Sequence, residues 1–262
     1  MRYFGGKSKI AKEISNYINQ VGGYGECSIS AESKESRNKL VNLSTHTHTI
    51  YTHYVEPFCG SCNVATLVKI PNKTLNDKHH YLISMFKALQ EEWIPPTNIS
   101  KEEYDYIKQN KDENKALSGF VGFGCSFSGI WFSNYAKDNT GRNYCKNAHN
   151  SILKKMNGLK DATFISKDFS EISCENSLIY CDPPYRNTSP YNKEILGEFP
   201  YEDFLTWTKE KSKNNLVLVS EYKHNVPEGA KIVLEINSRT DIKGKNGKQI
   251  PTIEILWTWN DL

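Results

Sequence analysis

Asp182 stands at the end of a run, Leu178 to Cys181, that reads as a buried strand, and two prolines and a tyrosine follow it in the stretch LIYCDPPY. Each proline fixes its own φ and lacks an N–H, so the Pro183 carbonyl can point into a site without a ladder partner. An acid, a free carbonyl and the flat face of Tyr185 together suit a planar base that carries an exocyclic amine. The same letters also read as a proline turn after an edge strand.

Acids recur at other strand ends. Asp77 closes the segment LND and Asp168 lies in SKDF, while Gly60 in EPFCG lets a backbone approach a ligand closely. In open parallel sheets ligands bind beyond the carboxyl ends of the strands, so such acids are placed to accept hydrogen bonds from a ribose or an amino group. Taken singly, each also reads as a cap or turn residue. The full G-x-G-x-x-G fingerprint is absent, which argues against a nicotinamide dinucleotide. Cys59 and Cys62 form a CxxC where a strand could give way to a helix, the setting of a thioredoxin-like redox pair, and that alternative stays open. A structural zinc site would want four ligands and no second CxxC exists; His46, His48 and His53 read as loop histidines, so no metal is expected.

The elements that would position these residues alternate. HYVEPF, ATFIS, LIYCD, LVLVSEY, IVLEI and IEILWTW read as strands, and SKIAKEISNYINQ, NVATLVKI, HHYLISMFKALQEEW, NSILKKMNGL and YEDFLTWTKEKSK as helices. Such alternation implies an α/β fold with a mainly parallel sheet covered on both faces. After IVLEI no helix intervenes, and Asn246-Gly247 supplies turn chemistry, so the sheet should finish with an antiparallel strand pair. Residues 24–52 are polar and nearly aperiodic, the mark of a loop insertion. The Gly- and aromatic-rich segment from Gly119 to Asn147 suits a recognition loop or small subdomain; an irregular packed loop is the alternative.

The chain has 262 residues, 38% hydrophobic, and no apolar run approaches the roughly 20 residues of a membrane span, so no membrane partner is expected. Lys and Arg number 33 against 30 Asp and Glu, a charge of +3 that by itself is weak evidence for a polyanionic partner. Seven scattered cysteines suit free thiols in a reducing compartment, and MRYFGGKSKIAKEI lacks the features of a secretory signal; both place the protein in a cytoplasm.

Taken in order, YFGGK (3–7), VEPFCGSC (55–62), LND (75–77), KDF (167–169), CDPPY (181–185) and LVLVSEY (216–222) resemble the Dam-like DNA adenine-N6 methyltransferases whose cofactor motifs precede DPPY. The resemblance spans most of the chain except residues 24–52. It implies a Rossmann-like class I methyltransferase sheet, with residues 1–87 and 161–262 forming an S-adenosylmethionine-binding catalytic domain and residues 88–160 a small inserted target-recognition region. It further implies that Tyr3, Lys7, Phe58 and Gly60 contact or shape the cofactor site. By the same likeness Asp77 holds the ribose, Asp168 and Phe169 flank the adenine ring, and Asp182 stands where cofactor and target base meet. Asp182, Pro183, Pro184 and Tyr185 would carry catalysis on a flipped adenine of double-stranded DNA.

Trp131, Asn134, Tyr135, Arg142, Asn143 and Tyr144 are candidate DNA contacts. A microbial or phage origin, and a cognate restriction endonuclease as partner, belong to the same expectation. Where the family carries a second glycine in its phenylalanine turn, this chain has Cys62. An RNA methyltransferase with the same cofactor, and a nucleic-acid-binding module with an inactive cofactor site, stay open as alternatives.

Overall fold

The computed structural model describes residues 6–25, 49–137, 141–186, 197–243 and 249–262. Tyr3, the Asn246-Gly247 pair and most of the expected 24–52 insertion therefore lie outside the described residues.

The strands β1 (His53–Glu56), β2 (Asn72–Asn76), β3 (Thr163–Ile165), β4 (Leu178–Cys181), β5 (Leu216–Tyr222), β6 (Lys231–Lys243) and β7 (Gln249–Thr258) form one seven-stranded sheet in the order β3-β2-β1-β4-β5-β7-β6. The first five pair in parallel, whereas β7 runs antiparallel to both β5 and β6. This is the Rossmann-like sheet with an antiparallel C-terminal pair expected from the sequence. Strand order reverses between β1 and β4, so the ends of those strands open the crevice where ligands of such sheets bind.

Both faces of the sheet are covered, as the near-continuous apolar strands require. Tyr54, Leu75, Tyr180 and Leu218 point to one face, where they join a core with α1 (Ala11–Val21), α2 (His80–Gln90), α4 (Lys115–Gly124) and α5 (Tyr144–Met156). Val55, Ile179, Val217 and Trp257 point to the other, against Phe169 and Phe204 of α6 (Tyr201–Lys211). No helix of the described residues is long and apolar enough to cross a membrane.

The sequence expectations need three corrections. NVATLVKI is not a helix but a succession of turns: the Asn19 side chain donates to the Leu67 carbonyl and accepts from the Lys69 amide, and Pro71 follows. Those bonds satisfy backbone groups that an α-helix would have paired internally. Conversely, the glycine-rich start of the supposed recognition loop is the buried helix α4. Its glycines serve close packing, since a Cβ on Gly119 would overlap the Tyr81 carbonyl of α2. A further helix, α3 (Lys101–Gln109), begins with a full capping box in which Ser100 Oγ accepts from the Glu103 amide and Glu103 Oε2 from the Ser100 amide.

Candidate active site

β1 leaves the sheet through a tight turn. Gly60 has φ +46° and Cys62 φ +56°, both in the left-handed region where a side chain is strained. The glycine that the family carries at the second position is thus explained by backbone conformation. Here Cys62 occupies it with its thiol buried in the core. Burial pushes the neighbouring Cys59 thiol up, with Cys62 adding to the rise, whereas a redox-active cysteine needs a depressed value. Both cysteines of the CxxC are free thiols buried in the core.

The turn is held by Asp77 at the end of β2, whose two oxygens accept the Gly60 and His79 amides, each at 2.9 Å. Burial raises the Asp77 carboxyl to about 6, and those two bonds oppose the rise. Beneath the turn lies Glu56, the last residue of β1, accepting the Tyr54 hydroxyl at 2.9 Å. Burial pushes its carboxyl well above the usual carboxylate range; the Tyr54 bond works against that, and Asp182 and Asp77 nearby add to it.

At the end of β4, Asp182 meets Lys7 at 2.7 Å. The Lys7 ammonium also lies 4.4 Å from the centre of the Tyr185 ring and 3.7 Å from Glu254 of β7. Tyr185 is buried; its hydroxyl donates to Glu254 at 3.2 Å and its ring meets Tyr222 edge-on. Glu221 at the end of β5 accepts the amides of Arg186 and Tyr222. Burial raises Asp182 to about 6; Lys7 lowers it, while Glu254 and Glu221 raise it. Its carboxylate is thus ionised at neutral pH but close to taking a proton. The Pro184 carbonyl accepts the Tyr201 hydroxyl at 2.6 Å, which fixes the proline turn from α6. Among the described residues no backbone donor pairs with the Pro183 carbonyl.

The structure therefore brings Lys7, Asp77, Asp182, Tyr185 and Gly60 to one end of the sheet. Phe58 and Phe169 lie on the opposite face of β1, their rings 5.7 Å apart in a cluster with Phe199 and Phe204. Asp168 caps the short 3-10 turn that follows β3, accepting from Ser170 and pairing with Lys78. Of the candidate DNA contacts, Asn134, Arg142 and Asn143 are exposed. Trp131 packs on His79 and Tyr81, and the Tyr135 hydroxyl is bonded to the Ile99 carbonyl. Asn143 caps α5, and the Arg142 guanidinium lies 5.8 Å from the Tyr144 ring centre. Glu56, Glu221 and Glu254 carry part of the charge at the site and were given no role from sequence. An acid inside an otherwise apolar strand, as in YVEPF, LVLVSEY and IEILW, is the signal that marks them.

Residues 37–121 match the family model of the D12 class N6 adenine-specific DNA methyltransferases. A stretch of 73 residues, 27% of this chain, is 34% identical to the Type II methyltransferase M.MjaVI of Methanocaldococcus jannaschii, and it spans 37% of that relative's length. Both matches support the Dam-like adenine methyltransferase resemblance read from the motifs, and the family-model match covers the turn after β1 and the acid after β2. Among solved structures, the rRNA methyltransferase aviRa from Streptomyces viridochromogenes aligns with 79% of this chain and 75% of its own at 11% identity and a TM-score of 0.32. A protein described as an rRNA-methylase from Clostridium thermocellum covers 79% of this chain and 87% of its own at 12% identity and a TM-score of 0.31. Likeness that distant bears on neither the acceptor nor the site.

Proposed function

We propose that the protein methylates the N6 amine of adenine in double-stranded DNA, using S-adenosylmethionine, after the target base has been flipped out of the duplex. The observation that carries this reading is the group at the end of β4: a half-buried carboxylate beside a proline carbonyl and a buried aromatic ring, bordered by the buried acids that end β1 and β2. Carboxyls raised by burial, with Lys7 as the cation at Asp182, favour a positively charged ligand, and S-adenosylmethionine carries a sulfonium and an ammonium. When bound, it supplies a methyl group activated on sulfur.

The chain's own residues do the rest. The N6 lone pair of adenine is delocalised into the ring, so the amine is a weak nucleophile. Asp182 and the Pro183 carbonyl accept its two hydrogens, hold the amine in line with the methyl group and draw electron density onto nitrogen. Asp182, raised to about 6, can receive the proton that the amine sheds after transfer. The Tyr185 ring stacks on the extruded base, and such stacking offsets part of the unstacking cost at on the order of 1–3 kcal/mol. Lys7 now occupies both the Asp182 carboxylate and the Tyr185 face, so it must shift as the base enters, and Glu254 stands ready to receive it.

The exposed Asn134, Arg142 and Asn143 are the DNA-reading residues of this proposal, with 88–160 as the target-recognition region and the remainder as the cofactor domain. A restriction endonuclease acting on the same site would be the partner if the protein serves to protect DNA. Transfer of labelled methyl groups to unmethylated duplex DNA and, in parallel, to RNA, followed by nucleoside analysis, tests it. N6-methyladenine in the DNA is expected. Label only in RNA, or a different methylated nucleoside, overturns the proposal.

A further inference from the structure

Lys155, one residue from the end of α5, reaches across the fold to the turn that follows β1. Its ammonium donates to the Ser61 carbonyl and to Asn63 Oδ1, both at 2.6 Å, and the residue as a whole is only partly exposed. Burial lowers it to about 8, and the Glu56 carboxyl and the Cys62 and Cys59 thiols close by oppose that fall. A cation drawn out of water costs free energy unless hydrogen bonds compensate it, and here both compensating bonds go to one segment. What these bonds hold is the strained turn between Gly60 and Cys62.

A second contact fixes the same junction. Just beyond α5, Gly158 approaches the Thr66 carbonyl so closely that a Cβ there would lie 2.8 Å from its oxygen. At the other end of α5, Asn143 Nδ2, Cys145 Sγ and the His149 ring bond the carbonyls of Thr97, Pro96 and Pro95. Ala148, Ile152 and Met156 are buried between the two ends. α5 is thus a strut about 20 Å long, with exposed Arg142 and Asn143 at its start and the turn after β1 at its end.

We infer that Lys155 is a positioning residue, clamping α5 onto the turn that holds the cofactor so that cofactor and DNA binding are coupled through this helix. The inference rests on the proposed function. Coupling between sites is reciprocal: DNA that settles the start of α5 tightens cofactor binding, and cofactor tightens DNA binding, by the same factor.

The test is calorimetric binding of S-adenosylmethionine with and without unmethylated duplex DNA, for the wild type, Lys155→Met, Lys155→Arg and Asn63→Ala. In the wild type, DNA should strengthen cofactor binding by about tenfold. Lys155→Met should remain folded, because an apolar chain of similar length fills the same space, yet bind cofactor several-fold more weakly and lose the DNA effect. Lys155→Arg should restore part of the effect, and Asn63→Ala should weaken it to an intermediate degree.

Wild-type binding that ignores DNA overturns the coupling, as does a Lys155→Met protein whose affinities match the wild type. Should Lys155→Met fail to fold, Asn63→Ala decides, and an unchanged DNA effect there overturns the inference. A wild type that binds no S-adenosylmethionine overturns the proposed function itself and this inference with it. If Lys155→Met alone behaves as wild type, the proposed function stands.

Discussion

Asp168 and Asp182 look alike in the sequence, each an acid at or just past the end of a parallel strand, and the fold gives them opposite surroundings. Asp182 is drawn into the crevice between β1 and β4, where burial dominates and lifts its carboxyl to about 6. Around Asp168 partial burial also acts upward, but Lys78 and Ser170 outweigh it and hold the carboxyl below its ordinary range. The strand at the reversal of sheet order feeds a crevice, and the outer strand β3 feeds an exposed turn. A carboxylate poised near neutrality can take up and release a proton during chemistry, whereas one held well ionised serves as a cap.

The largest expected effect separates the two directly. Asp182→Ala should lower methyl transfer by at least about a hundredfold, the scale of losing an aligned electrostatic partner. Asp168→Ala should leave turnover within a small factor. Incorporation of labelled methyl groups into duplex DNA checks both, and equal losses would erase the distinction.

Lys7 sharpens it next. The ammonium lowers Asp182 against burial, Glu254 and Glu221, so Lys7→Met should move the acid limb of the kcat/KM profile upward from about 6. A limb that stays in place would show that the pair at 2.7 Å does not control the carboxylate. Tyr185 separates stacking from hydrogen bonding. Tyr185→Ala should cost about 5- to 150-fold in turnover if stacking is worth about 1–3 kcal/mol, while Tyr185→Phe keeps the ring, loses the bond to Glu254 and should retain most activity. Equal losses would assign the effect to the hydroxyl.

Much of this was legible in the residues. The alternation of strands and helices gave the parallel sheet and the helix-free C-terminal pair, because periodicity records which faces are buried. DPPY marked the strand end on which the proposed site is built, because proline chemistry is local. Tertiary partners were not legible. Nothing within NVATLVKI reveals that Asn19, far back in the chain, would take its backbone groups. Gly119 and Gly122 of GFVGFG looked like a loop because their reasons, contact with Tyr81 of α2 and with the Trp131 ring, lie outside the segment's own helix. Glycine permits both a turn and a close approach, and only the neighbour decides between them. Ser100 and Glu103, by contrast, spell a capping box in plain sequence, and α3 could have been found from them. Lys7 at Asp182 and Lys155 at the β1 turn join residues remote in sequence, so no local spacing foretells them.

The smallest expected effect is the pH dependence of stability, and its sign differs between the two acids. Asp182 has a folded value raised from 3.8 to about 6, so its favourable contribution is fully present below 3.8 and is lost as pH rises through about 6. Asp168 has a folded value below 3.8, so its contribution is present above that point and is lost as pH falls through the folded value. The thermal midpoint of the wild type relative to Asp182→Asn should therefore decline between about pH 4 and 7. Relative to Asp168→Asn it should be flat over that range and shrink only in stronger acid. Because Asp168 is a partly exposed cap, the second difference should not exceed about 1 kcal/mol. Thermal scans of the three proteins in matched buffers measure both trends. Curves that run in parallel would mean that the crevice and the exposed turn treat their acids alike, and the contrast drawn from burial would fail.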